Sequence, residues 1–182
     1  QLEEFLKIIQ RRLRRVPVSH ILGYRDFFEH RFIVTPDVLD PRPETELLVV
    51  EALKESFQNV LDLGTGSGCI LLSLLAKKTN VQGVGIDNSA AAISIARRNA
   101  KNLHLESRVR LNVSDWFSNV GKQKFDLIVS NPPYIHPNQL ELLSPEVLQE
   151  PMLALTDNED GLNAFKEIAT NAQKFMVAGG RL

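Results

Sequence analysis

The strongest constraint on this chain is a glycine-rich turn set between two apolar runs of different period. Val60-Leu61-Asp62-Leu63 reads as a buried strand and Cys69–Lys78 as an apolar helix, with Gly64-Thr65-Gly66-Ser67-Gly68 between them. Glycine lets a backbone turn tightly and approach a ligand with no Cβ in the way. The alternation continues downstream. Val81–Ile86 is a second strand, and Ser89–Asn102 a helix with Ile93, Ala96 and Ala100 on one side. Val109-Arg110-Leu111 and Phe125–Val129 are further strands, and Leu162–Val177 is a later helix that starts near Asp160-Gly161. Strands alternating with such helices imply βαβ units. The expected fold class is therefore α/β, a Rossmann-like, doubly wound and mostly parallel sheet.

Upstream the pattern is less regular. Residues 2–15 place Leu2, Phe5, Ile8, Ile9 and Leu13 at helical spacing, which predicts one buried face. The cluster Arg11-Arg12-Leu13-Arg14-Arg15 reads either as a nucleic-acid contact or as a solvated last turn favoured by the helix dipole. Pro17 ends that helix. Residues 18–43 mix β-prone runs such as His30–Val34 with Pro36, Pro41 and Pro43, a hairpin or irregular arm. Pro43 then fits the first turn of a helix through Glu44–Ser56, with Leu47, Leu48, Val50 and Leu53 as candidate core residues.

Composition narrows the classes. With 21 basic and 22 acidic side chains among 182 residues, the net charge of −1 argues against a surface devoted to nucleic acid. Cys69 is alone, so no internal disulfide forms, and low cysteine use is compatible with a reducing cytoplasm. No run approaches the ~20 apolar residues of a membrane span. No histidine pair has ligand spacing, so no metal is expected. The chain starts at Gln1 and stops at Gly179-Gly180-Arg181-Leu182, where another strand begins, so both ends read as cut.

Chemistry concentrates at the strand ends, where open α/β sheets bind ligands. The loop spacing is G-x-G-x-G; it lacks both the dinucleotide spacing and the Lys-Ser/Thr of a phosphate loop. Asp87 closes the second strand and can accept hydrogen bonds from both hydroxyls of a ribose, or simply cap the next helix. Asp115-Trp116 follows the third strand, where an indole can stack on adenine and the carboxylate can accept from its amine. Alternatively, Trp116 is a half-buried surface residue. Asn131-Pro132-Pro133-Tyr134 follows the fourth strand. Its prolines fix φ and remove two donors, which makes a rigid platform for a planar amide or amino group.

With the loop, Asp87 and this tetrad in place, the chain resembles the class I S-adenosylmethionine-dependent methyltransferases that modify planar sp² nitrogens. More specifically it resembles the HemK/PrmC family, which methylates the glutamine of the Gly-Gly-Gln motif in peptide-chain release factors. The likeness is carried by Pro41-Arg42-Pro43-Glu44-Thr45-Glu46, Val60–Gly68 and Val129-Ser130-Asn131-Pro132-Pro133-Tyr134-Ile135. Weaker echoes are His20-Ile21-Leu22-Gly23, Glu150-Pro151 with Ala154-Leu155, and Asp160-Gly161-Leu162.

The resemblance implies roles. Gly64, Thr65, Gly66, Ser67 and Gly68 would cradle the methionine part of S-adenosylmethionine, Asp87 the ribose, and Asp115 and Trp116 the adenine, with Asn131 beside the cofactor. Asn131, Pro132, Pro133 and Tyr134 would hold the glutamine, and Asn131, Pro132 and Tyr134 would promote direct transfer, leaving S-adenosylhomocysteine. Neither His104 nor His136 reads as a general base. Residues 1–16 would be the tail of a helical docking domain, 17–43 an arm, and 44–182 the methyltransferase domain. Release factors would be the partners, with no membrane and no direct nucleic acid. Two alternatives stay open: a nucleic-acid amino-methyltransferase acting on DNA adenine-N6 or ribosomal RNA guanine-N2, and a non-catalytic cofactor-binding module.

Overall fold

A computed structural model describes residues 1–182. The chain begins with helices α1 (Leu2–Leu13) and α2 (Val18–Leu22). An antiparallel hairpin follows, β1 (Tyr24–Phe27) and β2 (His30–Ile33), turned by Phe28 and Glu29 at φ of 43° and 68°. Phe27 and Phe32 face inward from it in an edge-to-face pair. The α1 apolar stripe does not bury a face as its spacing predicts, because no residue of α1 is buried. Phe5 and Leu13 are exposed. The helix is instead tethered at its basic end. Arg12 and Arg15 reach Glu146 at 2.7 and 3.3 Å, and Arg11 donates to the His20 carbonyl.

Pro43–Thr45 forms a single 3-10 turn before α3 (Glu46–Leu53). The core side of α3 is Val49 and Ala52, while the expected core residues Leu47 and Val50 are exposed and Leu48 and Leu53 half-buried. Leu47-Leu48-Val49-Val50 is apolar on every face, so spacing alone cannot choose among them.

From there the βα alternation proceeds as the sequence predicts. The elements are β3 (Asn59–Leu63), α4 (Cys69–Lys77), β4 (Gln82–Asp87), α5 (Ala90–Asn102), β5 (Val109–Val113) and β6 (Phe125–Ser130). The short α6 (Met152–Leu155), α7 (Asn163–Asn171) and β7 (Met176–Arg181) complete the chain. The helix expected to run to Val177 therefore ends early. Residues 172–175 tighten to a 3-10 turn, and Met176 and Val177 join a strand, because β6 offers them a free parallel edge.

All strand pairs of the main sheet are parallel, in the order β5-β4-β3-β6-β7. Both faces are covered, so the strands are nearly continuous apolar runs. Val60, Leu127 and Val129 pack toward α4, α5 and the hairpin, whereas Leu61, Leu63, Phe125 and Ile128 pack toward Phe117, Ile168 and Ala172. The chain order reverses between β3 and β6, and that divergence opens a crevice beyond their carboxyl ends.

One turn ties the crevice rim together. The Asp157 carboxylate accepts from the N–H groups of Glu159, Gly161 and Asn163, and a Cβ on Gly161, at φ +72°, would stand 2.7 Å from the Tyr134 carbonyl. Gly161→Ala meets both a left-handed backbone and a backbone clash, so it should cost at least ~1–2 kcal/mol. Thermal denaturation checks this, with a melting temperature lower by several degrees expected.

Candidate active site

The glycine loop is bent at three positions, Gly64, Gly66 and Gly68, with φ of 69°, 54° and 81°. A Cβ on Gly64 or Gly66 would meet nothing within 4 Å, so both face open space. The loop is held from beneath. Thr65 N–H donates to the Ile86 carbonyl at 2.8 Å, and its hydroxyl donates to Asp62 at 2.7 Å. Gly68 serves as the N-cap of α4, where a Cβ would press on Leu72 at 3.0 Å.

Asp87 meets the glycine loop from the end of β4. One carboxylate oxygen accepts from Gly66 N–H and the other from Ser89 N–H, both at 2.9 Å. Capping and ligand binding are thus compatible, since each oxygen keeps a second lone pair for an outside donor. Burial pushes the Asp87 pKa up, against the pull of the Ser89 and Gly66 amides. Next along the edge, the Ser114 hydroxyl donates to the Trp116 carbonyl at 2.8 Å and accepts from Asn119 N–H, which holds Trp116 at φ 41°. Beyond β6, the Ser130 hydroxyl donates to the Leu63 carbonyl at 2.7 Å, fixing the start of the tetrad to the end of β3. The exit of the tetrad is fixed too, by Ile135 N–H donating to the Leu155 carbonyl.

These elements enclose a cleft of about 340 Å³. Of the residues singled out in the sequence, Gly64, Thr65, Gly66, Ser67, Asp87, Asp115, Trp116, Asn131 and Pro133 line it. Three others do not. Gly68 lies at the helix cap, Pro132 is buried behind the surface, and Tyr134 is 60% exposed outside it. The sequence reading missed two walls. One is Asp37, Val38, Leu39, Pro41, Arg42 and Thr45 from the arm and the turn that follows it; the other is Pro151–Ala154. The motifs Pro41–Glu46 and Glu150-Pro151 were visible in the sequence, but nothing local in them signals that they meet. Arg42 donates to Glu150 at 2.6 Å, across 108 positions of chain.

The groups lining the cleft are chemically suited to binding and orienting a ligand. The carboxylates of the cleft accept hydrogen bonds from hydroxyl and amino groups. No histidine lines it, and burial pushes the thiol of Cys69, at its base, up to about 12, which keeps it protonated. No group of three or more His, Cys, Asp or Glu residues is arranged to hold a metal, and no helix is long and apolar enough to cross a membrane.

A strand–glycine loop–helix unit, an acidic residue closing the next strand and an Asn-Pro-Pro-Tyr exit loop thus share one cleft, and residues 36–158 match the family model described as the methyltransferase small domain. The chain belongs to that family. Among its curated relatives, the release factor glutamine methyltransferase of Cereibacter sphaeroides is 50% identical over 172 residues, covering 94% of this chain and 62% of that protein. The protein of the same description from Caulobacter vibrioides is 46% identical over 177 residues, covering 94% and 61%. The chain thus spans about three-fifths of the length of these relatives. A solved methyltransferase from Pyrococcus furiosus, 18% identical, superposes over 94% of this chain and 76% of its own with a TM-score of 0.64, which marks a shared fold.

Family membership leaves the buried carboxyl of Asp62 to be explained by physics. Burial pushes its pKa from the ordinary 3.8 to about 7, opposed by the Thr65 hydroxyl and reinforced by Asp87. The folded state holds this proton more tightly than the unfolded chain. Its contribution to stability is therefore complete below about pH 4 and is lost as pH rises through about 7. Asp62→Asn should flatten that descent, which melting temperatures measured from pH 5 to pH 8 would detect.

Proposed function

We propose that this chain binds S-adenosylmethionine in the cleft and methylates the side-chain amide nitrogen of the glutamine in the Gly-Gly-Gln motif of peptide-chain release factors. The observation that carries this reading is that one cleft holds a glycine cradle and Asp87 together with Asn131 and Pro133. The relatives described as release factor glutamine methyltransferases support the choice of acceptor.

The residues fit such a donor. Gly64 and Gly66 leave room where a Cβ would project, and Asp87 keeps two lone pairs for ribose hydroxyls. Asp115 and Trp116, on the same cleft, would offer a carboxylate to the adenine amine and an indole to its ring. When bound, the cofactor supplies a sulfonium methyl electrophile and leaves as S-adenosylhomocysteine.

Asn131 does the orienting. An amide nitrogen is a weak nucleophile, since its lone pair is delocalised into the carbonyl. The Asn131 oxygen accepts one of its hydrogens, directing it away from the methyl and stabilising the positive charge that develops. Proximity supplies much of the remainder. Pro132, buried, acts as backbone support; Tyr134, exposed at the rim, packs against the peptide that carries the glutamine. Transfer is direct, so no covalent nucleophile is required, and the product proton passes to water. Release factors act on ribosomes, so the reaction belongs in the cytoplasm.

Radiolabelled methyl transfer from S-adenosylmethionine by the full-length protein tests the reading. The acceptors are a release factor, the same factor with its Gly-Gly-Gln glutamine changed to alanine, and duplex DNA. Label on the first alone is expected. Label on DNA would replace the proposal with a nucleic-acid amino-methyltransferase.

Two substitutions separate the roles. Asn131→Ala should lower kcat by ~10²–10³ with cofactor affinity little changed. Equal loss of both would assign Asn131 to the fold or the cofactor. Asp87→Ala should weaken cofactor binding by about tenfold or more, read by calorimetry; an unchanged Kd removes Asp87 from the ribose site.

A further inference from the structure

Residues 33–42 leave the hairpin and run beside the cleft, and five of them line it: Asp37, Val38, Leu39, Pro41 and Arg42. This stretch belongs to neither sheet beyond Ile33, and past the backbone bond from Val34 N–H to the Gly23 carbonyl its position rests largely on side chains. Its middle is held by apolar contact, with Val34 and Val38 buried against Ala92 and Ile95 of α5. Its two ends are held by polar groups.

At the first end stands Asn99 of α5, only 1% exposed. Its amide oxygen accepts from Ile33 N–H at 2.7 Å, while its nitrogen donates to the Ile33 carbonyl at 3.0 Å and to the Ser67 carbonyl at 2.8 Å. One planar amide thus joins the end of β2 to the glycine loop and uses both its donors. At the other end stands Glu150, its side chain 1% exposed. It accepts from Arg42 at 2.6 Å and from Asp40 N–H at 2.9 Å. Glu150 directly precedes Pro151–Ala154, so the same carboxylate ties two walls of the cleft to each other. Neither Asn99 nor Glu150 lines the cleft.

Resting on the methyl-donor reading above, we propose that Asn99 and Glu150 are positioning residues for the cofactor. They pin residues 33–42 at both ends as a wall of the cleft, and so set cofactor affinity from side chains that do not reach it. The physical reason is the cost of leaving buried groups unpaired. Without the Asn99 donors, the Ser67 and Ile33 carbonyls lose their partner, and the loop and the arm shift to find water. Without the Glu150 charge, Arg42 keeps only Asp40, at 4.0 Å, and its side chain is freed into the cleft.

The full-length protein is titrated calorimetrically with S-adenosylhomocysteine, and steady-state constants are measured beside it. Asn99→Asp keeps the shape but faces two carbonyls with an oxygen. Glu150→Gln keeps the shape but removes the charge. Each should raise the Kd for S-adenosylhomocysteine and the KM for S-adenosylmethionine by about tenfold, with kcat at saturating cofactor within about threefold. A core variant at the opposite end of β4 from Asp87, Val81→Ala, controls for simple loss of stability and should leave Kd within about twofold. Kd values within twofold of wild type in both pin variants overturn the inference, as does a fall in kcat with Kd unchanged. Should Asn99→Asp not fold, Asn99→Ser is judged by the same criteria. If wild type itself fails to bind S-adenosylhomocysteine, the methyl-donor reading falls; if wild type binds and the variants match it, only the pins do.

Discussion

Everything at the cleft depends on the parallel pairing of β3 with β6. These neighbours lie 67 residues apart where the Ser130 hydroxyl meets the Leu63 carbonyl, and each leads into a loop that lines the cleft. One is the glycine loop, the other the tetrad. Because β4 and β5 lie on one side and β6 and β7 on the other, the two loops part from each other and leave room between them. The apolar runs that bury both sheet faces hold this pairing in register, since a one-residue slip would turn Leu61 and Leu63 to the wrong face.

Buried carboxylates are the second theme. Asp62, Asp87 and Glu150 each sit at low exposure, and each spends at least one oxygen on a group of the surrounding chain. Such groups are costly to bury and are retained only with their partners in place. Asp62 braces Thr65 beneath the loop, Asp87 joins the loop to the start of α5, and Glu150 joins the arm to the segment before α6. The glycine loop is thus held by Asp62 and Asp87, with Asn99 bonding its Ser67 carbonyl from α5.

The arm is therefore part of the cleft rather than a connector leading to it. Its hairpin buries Phe27 and Phe32 in the same cluster as α4, and its continuation lines the binding space. The helix α1 differs, because it exposes its apolar stripe and is held only through arginines at its basic end. A stripe like that stabilises a fold only when a partner covers it.

The sequence by itself determined the βα alternation, the glycine turn, the acidic residue that closes β4 and the rigid tetrad after β6. Each is a local signal, because the periods of strands and helices, the φ freedom of glycine and the donor loss of proline act within a few residues. Only the tertiary structure decided which faces of α1 and α3 are buried, where the last helix yields to β7, and that the arm walls the cleft. Those outcomes rest on partners distant in the chain: β6 for Met176, Ile33 for Asn99, Arg42 for Glu150. An apolar run such as Leu47–Val50 looks the same from every side until something packs against it. A buried asparagine or glutamate shows its purpose only when the carbonyl or guanidinium it satisfies has been brought to it.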